Sequence, residues 1–506
     1  MLDRRTFLRQ ILAAGAVSAL PGGLACQSAA AKRPNFMVFL ADDLGFGDLR
    51  SYGNRIIQTP RLDAFASQGM RFTDFHSGGT VCSPSRAALL TGRNPYRSGF
   101  YYIAGSGMHL QQGEVTIASL LRESGYDTCF VGKWHLSRFD RTNAVAPTPG
   151  DHGFDHWFAT AVNAFEGPEN PQKFYRNGEA VGEVSGWYCD VIVQEALDWL
   201  QNRPNPERPF FLEVCSHEPH TPVEPPESFA ARYANPAVDS LEESALYGQV
   251  VRPPGIDGNK RYYYGTVEQL DRAFGNLMDG MDAAGLTDET LSIFTSDNGP
   301  ESPVNFEESR GEWTDPLRDR SFGTPGIWRG MKRYPYEGGH RVPGIARWPG
   351  RVQAGTVSDA LINGTDFLPT LAELAGVPIP TDRAIDGISF VPALNGRPLH
   401  RDRPVFWFFP AHEDTYYLMP HVAMRSAGWT LLGWLNPKDP DALIMDWLKE
   451  ESLGRFALYD LDSDPEQRND LLLAQPERAE VMIGEMRAFW AEIQLDSPRW
   501  EEWRMK

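Results

Sequence analysis

The sequence has few cysteines, and they are not spaced as metal-binding or disulfide-forming cysteines are. Only 5 cysteines occur in 506 residues, and none belongs to a CxxC pair. This excludes a structural zinc site and a dense disulfide framework. Cys129 and Cys215 lie in apolar runs, which predicts buried, unreactive thiols. Cys82 differs from them, because it opens a predicted helix four residues before Arg86. We expect that position, beside cations, to disfavour an inert buried thiol.

The chain also lacks the excess of positive charge that nucleic-acid binding requires. Lysine and arginine number 48 against 67 aspartate and glutamate residues, which gives a formal net charge of −19 at pH 7. Because phosphate binding needs a basic surface, we exclude nucleic acid as a partner. An anionic substrate would need a local cationic site, since the overall field repels it. The 42% hydrophobic and 23% charged residues are typical of a globular protein.

The apolar stretch near the N terminus, residues 11–20, is too short to cross a membrane. A charged segment with paired arginines, "DRRTFLRQ", precedes it, and small residues follow at 28–30. This pattern predicts an export signal over residues 1–30, of the twin-arginine type, which the export machinery would read. "GGLAC", ending at Cys26, is similar to a lipoprotein cleavage site. We therefore expect a periplasmic or extracellular protein, attached to a membrane only if Cys26 is lipidated.

Four short apolar runs are each followed at once by polar residues that can do chemistry. Helical stretches separate these runs, which predicts an α/β fold with a large, mostly parallel sheet flanked by helices on both faces. In such sheets ligands bind beyond the carboxyl ends of the strands. The residues that follow the four runs are Asp42 and Asp43, Lys133 and His135, His217 and His220, and Asp297 and Asn298. We expect them to meet at one edge of the sheet.

The character of the chain changes near residue 395. Residues 33–395 hold the elements predicted for the large sheet. Beyond them, "RPVFWFFP", "HVAMRSAGWTLLGWL" and "RFALYDLDSDP" are typical of strands, and "PERAEVMIGEMRAFWAEIQ" is typical of a helix. These segments predict a smaller α+β domain over residues 396–506.

The acidic residues at two of the strand ends form a candidate metal site. Asp42 and Asp43 alone would fit a solvated loop, but together with Asp297 and Asn298 they offer carboxylate and amide oxygens. Calcium and magnesium prefer such ligands, and zinc does not. Arg86, Lys133, His135, His220 and Lys332 add cations and hydrogen-bond donors beside this site. The set predicts a local positive site that captures an oxyanion against the negative net charge.

The segment around Cys82, "CSPSRAALLTGR", matches C-x-P-S-R-x-x-x-x-T-G-R. This resembles the signature of the formylglycine-dependent sulfatases of the alkaline-phosphatase superfamily. Further motifs similar to the family's occur in the family's order: "ADDLGFGD", "GKWH", "SDNG", "RGMKRYPYEGGHRVP", "DFLPTLAELAG" and "LYDLDSDPEQRNDL". The resemblance covers nearly all of the chain after residue 30 and implies an alkaline-phosphatase-like fold.

The resemblance also implies roles for the candidate residues. A maturation enzyme would oxidise Cys82 to Cα-formylglycine, whose hydrate attacks sulfur and then expels sulfate. The ligands implied for calcium, or less favourably magnesium, are Asp42, Asp43, Asp297, Asn298 and the modified Cys82. Arg86 and Lys133 would steady the hydrate, and His135 would take its proton. Lys332 and Lys133 would bind sulfate with a histidine. For that histidine His220 is preferred over His217, which would line the pocket.

The sequence therefore predicts a sulfuric-ester hydrolase with its catalytic domain over residues 33–395. An exported enzyme would meet extracellular glycans, so we expect a sulfated small molecule or oligosaccharide as the substrate. One alternative is a phosphate or phosphonate ester hydrolase of the same superfamily. Another is a non-catalytic surface protein that binds sulfated glycans, although such a protein would not need Cys82, Lys133 and His135 together.

Overall fold

In the computed structural model the described residues are 32–105, 107–140, 146–234, 260–301, 321–409 and 419–500. The predicted export signal, including Cys26, lies outside them. The described residues from 34 onward form one compact unit. A boundary at residue 395 stays a prediction. Within the described ranges, no helix combines the length and the apolar character that a membrane crossing requires.

A ten-stranded sheet forms the centre of this unit, and a separate four-stranded sheet lies near the C terminus. The strands are β1 (Asn35–Ala41), β2 (Met70–Phe72), β3 (Phe75–His76), β4 (Asp127–Lys133), β5 (His156–Thr160), β6 (Phe174–Arg176), β7 (Glu179–Gly182), β8 (Phe210–Cys215), β9 (Thr290–Ser296), β10 (Gly344–Arg347), β11 (Thr356–Ser358), β12 (Ile362–Asn363), β13 (Val405–Phe408), β14 (Val422–Ser426), β15 (Trp429–Leu435) and β16 (Leu453–Asp460). The order in the ten-stranded sheet is β11-β2-β10-β9-β1-β8-β4-β5-β6-β7.

The five central strands of the large sheet, β9, β1, β8, β4 and β5, are parallel. Antiparallel pairing begins on either side of them, at β10 and at β6. The four apolar runs predicted as strands are four of these five neighbours. Their carboxyl ends therefore lie side by side, as expected for parallel strands with chemistry at one edge.

Helices cover both faces of the large sheet, which confirms the predicted fold class. The helices are α1 (Pro60–Gln68), α2 (Cys82–Thr91), α3 (Ile117–Glu123), α4 (Tyr188–Gln201), α5 (Glu227–Ala230), α6 (Lys260–Ala283), α7 (Glu337–His340), α8 (Phe367–Ala375), α9 (Val391–Leu394), α10 (Ile444–Glu450) and α11 (Pro476–Asp496). A hydrophobic core lies on each face of the large sheet, and alternate residues of β1 belong to different cores. Phe36 and Val38 pack with α2, α3 and α8, whereas Met37 and Phe39 pack with α1, α4 and α6. Both faces of β1 are thus buried, which explains its unbroken apolar sequence.

The C-terminal elements form an antiparallel meander of β13, β14, β15 and β16. Helix α11 packs against it through an apolar face that includes Met486, Phe489 and Trp490. The predicted strands and terminal helix of this region are present. Trp407 of β13 donates a hydrogen bond of 2.7 Å from Nε1 to the carbonyl of Ser77. The meander therefore contacts the segment that leads to Cys82.

Candidate active site

The predicted site residues lie together beyond the carboxyl ends of β9, β1, β8 and β4, and all of them are buried. Helix α2 begins at this edge with Cys82. Pro84 falls in its first turn, where the missing N–H would have had no helical partner. The helix ends at Thr91 and is capped by Gly92, whose φ of 68° suits a left-handed cap and whose N–H bonds the carbonyl of Ala88 at 2.9 Å. The helix predicted to begin at Cys82 is therefore present.

An acidic cluster occupies the middle of the site. One ligand-capable atom each of Asp42, Asp43, Cys82 and His220 lies within 4.8 Å of the others. Successive side chains of a strand point to opposite faces. The backbone of Asp43 departs from the strand conformation, with a φ of 63°. This left-handed conformation costs about 1–2 kcal/mol for a residue other than glycine. This turn directly after β1 lets two consecutive carboxylates reach the same space.

Asp297 and Asn298, which follow β9, complete the predicted ligand set. Asp297 Oδ1 accepts a hydrogen bond of 3.3 Å from the backbone N–H of Asp43. Asn298 Nδ2 donates to Asp43 Oδ1 at 2.7 Å, which leaves Asn298 Oδ1 buried without a hydrogen-bond partner among the described residues. A buried amide oxygen is costly unless something binds it. The carboxylate and amide oxygens present therefore fit a hard divalent cation such as calcium.

Three cations face the three carboxylates. Lys133, the last residue of β4, donates from Nζ to Asp42 Oδ2. Lys332 Nζ lies 2.8 Å from Asp43 Oδ2. Arg86, on the first turns of α2, donates to Asp297 and to a backbone carbonyl rather than to Cys82. The three cations balance the three carboxylates, so a bound divalent cation would give the site the positive charge that an anionic substrate requires.

Cys82 is 2% exposed, and its Sγ lies 3.6 Å from Asp42 Oδ1. The expectation that a helix start beside cations would disfavour a buried thiol is therefore wrong, because α2 packs its first turn into the core. Burial and the Asp42 carboxylate raise the pKa of the Cys82 thiol above its usual value. Burial, Asp297 and Asp43 in turn raise the pKa of Asp42 to about 7, against Lys133 and Arg86. A neutral thiol is a poor nucleophile.

The structure separates the two candidate histidines by position. His220 Nε2 lies 3.6 Å from Asp43 Oδ2, within the acidic cluster. His217 is not part of this cluster, and its ring centroid lies 5.7 Å from that of His220. Its Nδ1 accepts a 3.4 Å hydrogen bond from the backbone N–H of Ala164. Burial and Lys133 lower the pKa of His217 to about 3, and burial with the two lysines lowers that of His220. Both rings are neutral at pH 7.

His135 also lies at this edge, two residues after Lys133. Its backbone adopts a φ of 54°, and its carbonyl accepts a 2.6 Å hydrogen bond from Ser83 Oγ, the second residue of α2. Its Nδ1 is buried without a hydrogen-bond partner in the described part of the chain. Burial and Lys133 hold its pKa well below the usual range. A neutral imidazole with an unoccupied nitrogen can accept a proton.

Sequence reasoning missed two residues that contact the site. Asn163 follows β5, and its Nδ2 lies 2.6 Å from Nε2 of His220. Its position after a fifth apolar run, "HWFAT", was the available signal. Glu301, buried three residues after Asn298, has one carboxylate oxygen 3.3 Å from Lys332 Nζ. No local pattern marks Glu301, because its partners come from another segment.

A second cluster of potential ligands, His76, Glu337 and His340, lies outside this site. The two histidines share a hydrogen bond of 2.9 Å between their Nδ1 atoms. Glu337 Oε2 accepts hydrogen bonds from Arg341 at 3.1 Å and from Arg425 at 2.8 Å. Two guanidinium groups already neutralise the carboxylate and would repel a metal ion. This cluster joins α7 to β14 and is a structural network.

Residues 34–377 match the family model described as Sulfatase, and residues 328–492 match the one described as N-sulphoglucosamine sulphohydrolase, C-terminal. The chain is 35% identical over 430 residues to arylsulfatase A of Homo sapiens, which covers 79% of this chain and 75% of that protein. It is 31% identical over 486 residues to N-acetylgalactosamine-6-sulfatase of Canis lupus familiaris, covering 89% and 84%. The crystal structure of Ps i-CgsB in complex with k-i-k-neocarrahexaose has a TM-score of 0.72 at 24% identity, over 92% of this chain and 94% of that chain, a likeness of fold.

Proposed function

The chain belongs to the sulfatase family, and on that premise we propose that it releases sulfate from sulfated carbohydrates with an oxidised Cys82 and a calcium ion. Sulfate-ester hydrolysis itself follows from the family. The observation that carries the finer proposal is the position of Cys82 at the start of α2, 3.6 Å from Asp42 and within the acidic cluster.

The thiol itself is unsuited to the reaction, because its raised pKa keeps it protonated. An oxidising maturation enzyme would convert Cys82 to formylglycine, whose hydrate carries two hydroxyl groups on one carbon. One hydrate oxygen would attack sulfur and displace the alcohol. Deprotonation of the second hydroxyl would then break the C–O bond to the sulfate, which releases sulfate and regenerates the aldehyde. Calcium would supply positive charge that draws the sulfate oxygens and the attacking oxygen together. The residues that would hold it are Asp42, Asp43, Asp297 and Asn298, together with the modified Cys82. Magnesium is the less favoured ion.

The chain's own side chains would bind and orient the sulfate group. The ammonium groups of Lys133 and Lys332 would contact the equatorial sulfate oxygens, and His217 would line the same pocket. His220 is neutral in the free enzyme, but a bound anion beside it favours its protonated form. Protonated His220 would then donate a proton to the leaving oxygen. His135, neutral and with an unoccupied Nδ1, would take the proton of the hydrate, while Arg86 and Lys133 steady it.

The substrate proposed is a sulfated small molecule or oligosaccharide. The matched relative from Canis lupus familiaris is named for a sulfated amino sugar. Every predicted catalytic side chain is at most 5% exposed, so a sulfate group has to reach buried side chains. A chain end reaches buried side chains more readily than the middle of a polymer. We also propose export to the periplasm or beyond, directed by residues 1–30, with anchoring only through Cys26.

Matched esters test the proposed reaction. The protein is purified from a host that can convert Cys82 to formylglycine. It is assayed with the sulfate and the phosphate ester of the same phenol, and then with sulfated and desulfated oligosaccharides. We expect faster hydrolysis of the sulfate ester and release of sulfate from the oligosaccharide. Faster hydrolysis of the phosphate or phosphonate ester would favour the alternative superfamily activity. Binding of the sulfated oligosaccharide without turnover, by protein that carries formylglycine, would favour a glycan-binding role.

A further inference from the structure

Glu301 lies beside the proposed active site, although it is neither a predicted calcium ligand nor a predicted catalytic residue. It follows the "SDNG" turn after β9, and its side chain is 1% exposed. Oε2 of Glu301 lies 3.3 Å from Nζ of Lys332. A carboxylate this deeply buried is retained only where it is paired. Its pairing with a proposed sulfate-binding lysine therefore points to a part in that site.

Arg333 holds the same carboxylate from the other side. Its Nη1 donates to Oε1 of Glu301 at 2.6 Å and to Oε2 at 2.7 Å. Lys332 and Arg333 are the central residues of a turn, which Tyr334 N–H closes with a 2.9 Å hydrogen bond to the carbonyl of Met331. Arg333 has a φ of 76° in this turn, a conformation that is strained for a residue with a side chain. Both side chains reach Glu301 from the turn. The backbone is also fixed here, because Lys332 N–H bonds the carbonyl of Pro300 at 2.9 Å.

Lys332 contacts two carboxylates, of which only one is a proposed calcium ligand. Its Nζ lies 2.8 Å from Asp43 Oδ2 and 3.3 Å from Glu301 Oε2. Asp43 is a proposed calcium ligand, so a bound cation would compete with Lys332 for that oxygen. Glu301 lies outside the proposed ligand set, so a cation bound by Asp43 would leave its contact with Lys332 in place.

We propose that Glu301, held by Arg333, is a positioning residue that keeps the ammonium group of Lys332 at the sulfate-binding side of the site. The inference rests on the proposed function, because Lys332 is taken there to bind sulfate. Glu301 itself touches neither the substrate nor the reacting atoms.

The test compares wild-type enzyme with Glu301→Gln, both as full-length, calcium-loaded protein. Calorimetry measures the Kd for inorganic sulfate and for calcium, and steady-state kinetics give KM and kcat on an aryl sulfate. We expect both KM and the sulfate Kd to rise roughly 10- to 100-fold, as for other outer partners that orient a functional group. We expect kcat and the calcium Kd to change little, because substrate binding alone is weakened.

Glu114→Gln is the matched control, since it removes another buried carboxylate that pairs with an arginine. Glu114 Oε1 lies 2.7 Å from Arg93 Nη1, and the Glu114 side chain is 8% exposed. This variant should leave sulfate binding unchanged. If Glu301→Gln does not fold, Arg333→Gln carries the test and should weaken sulfate binding in the same way, since Glu301 loses its anchor.

Sulfate binding as tight as in the wild type, or tighter, overturns the proposal, because a nearby negative charge without a positioning role would only repel sulfate. A calcium Kd that rises by the same factor as the sulfate Kd also overturns it, since the effect would then act through Asp43. Absence of turnover on any sulfate ester would refute the proposed function instead. The sulfate Kd still decides the positioning role in that case, because binding needs no turnover.

Discussion

The guanidinium group of Arg86 holds a single oxygen of Asp297 with two hydrogen bonds, at 3.0 Å from Nε and 2.7 Å from Nη2. Its remaining nitrogen, Nη1, donates to the carbonyl of Lys133 at 2.6 Å. One side chain of α2 thus ties the strand end that carries Asp297 to the one that carries Lys133. The described contacts of Arg86 orient a proposed calcium ligand and a proposed sulfate-binding lysine. Its predicted role in steadying the hydrate stays a prediction.

Replacement of Arg86 tests this arrangement. Arg86→Lys keeps the positive charge. A lysine cannot make both hydrogen bonds to Asp297 and also reach the carbonyl of Lys133. We expect activity to fall roughly 10- to 100-fold. Arg86→Ala should also lower the free energy of unfolding by about 3–5 kcal/mol, because it leaves a buried carboxylate unpaired. Turnover and urea denaturation measure the two effects. Full activity in Arg86→Lys would contradict the supporting role.

Removal of the metal ion tests the proposed ligand set. Excess chelator should abolish turnover and lower the Tm, and added calcium should restore both more effectively than magnesium. A ligand at 100 times its Kd stabilises a protein by about 2.7 kcal/mol. Asn298→Ala removes the buried oxygen that has no partner among the described residues, so its Tm should respond less to calcium. A wild-type Tm that ignores both chelator and calcium would argue against a cation at this site.

The position of Gly132, directly before Lys133, has no room for a side chain. Its φ is 105°, and an added Cβ would lie 1.9 Å from the carbonyl oxygen of Cys215. Gly132→Ala should destabilise the fold by about 1–3 kcal/mol through overpacking, beyond the cost of the backbone conformation, and should displace Lys133. Gly396→Ala is the control, since Gly396 has a φ of 68° but open space around its Cβ position. Denaturation curves compare them, and equal losses of stability would contradict the clash.

The buried pair His76 and His340 predicts how stability depends on pH. Burial lowers the pKa of both rings, although Asp74 and Glu337 oppose this. Unfolded histidine has a pKa of about 6.5, so the unfolded chain binds more protons below that pH. The free energy of unfolding should therefore fall as the pH drops below about 6.5, by up to about 1.4 kcal/mol per pH unit for each histidine.

Denaturation at pH 7.5, 6 and 5 measures this slope. His340→Gln should flatten it by up to one proton, because the ring that resists protonation is gone. His400→Gln, at an exposed position, is the control for the loss of a histidine outside the buried pair. The same slope in wild type and His340→Gln would show that this ring titrates alike in the folded and unfolded chain.

Local patterns predicted most of the fold and the site. The apolar runs of β1, β4, β8 and β9, and the helix that begins at Cys82, depend on residues close in sequence. The rule for parallel sheets then places the residues after them at one edge. The antiparallel insertion of β10 between β2 and β9 was not predicted, because strand order depends on pairing between distant segments.

Partners that are distant in the chain were also not predicted. Arg86 and Asp297 are 211 residues apart, and nothing near either residue indicates the other. The burial of Cys82 was misjudged for a related reason: exposure depends on what packs over the start of α2. Glu301 and Asn163 acquire their significance only through contact with Lys332 and His220.

Sulfate release by wild-type enzyme and by Cys82→Ala, both made in a host that matures such proteins, tests whether Cys82 carries the reaction. Mass spectrometry of the tryptic peptide over residues 72–86 confirms whether Cys82 has become formylglycine, with the peptide that carries Cys189 as the unmodified control. We expect modified wild-type enzyme to release one sulfate per alcohol and Cys82→Ala to release none. Equal sulfate release by Cys82→Ala, or none by wild-type enzyme that carries formylglycine, would contradict this expectation.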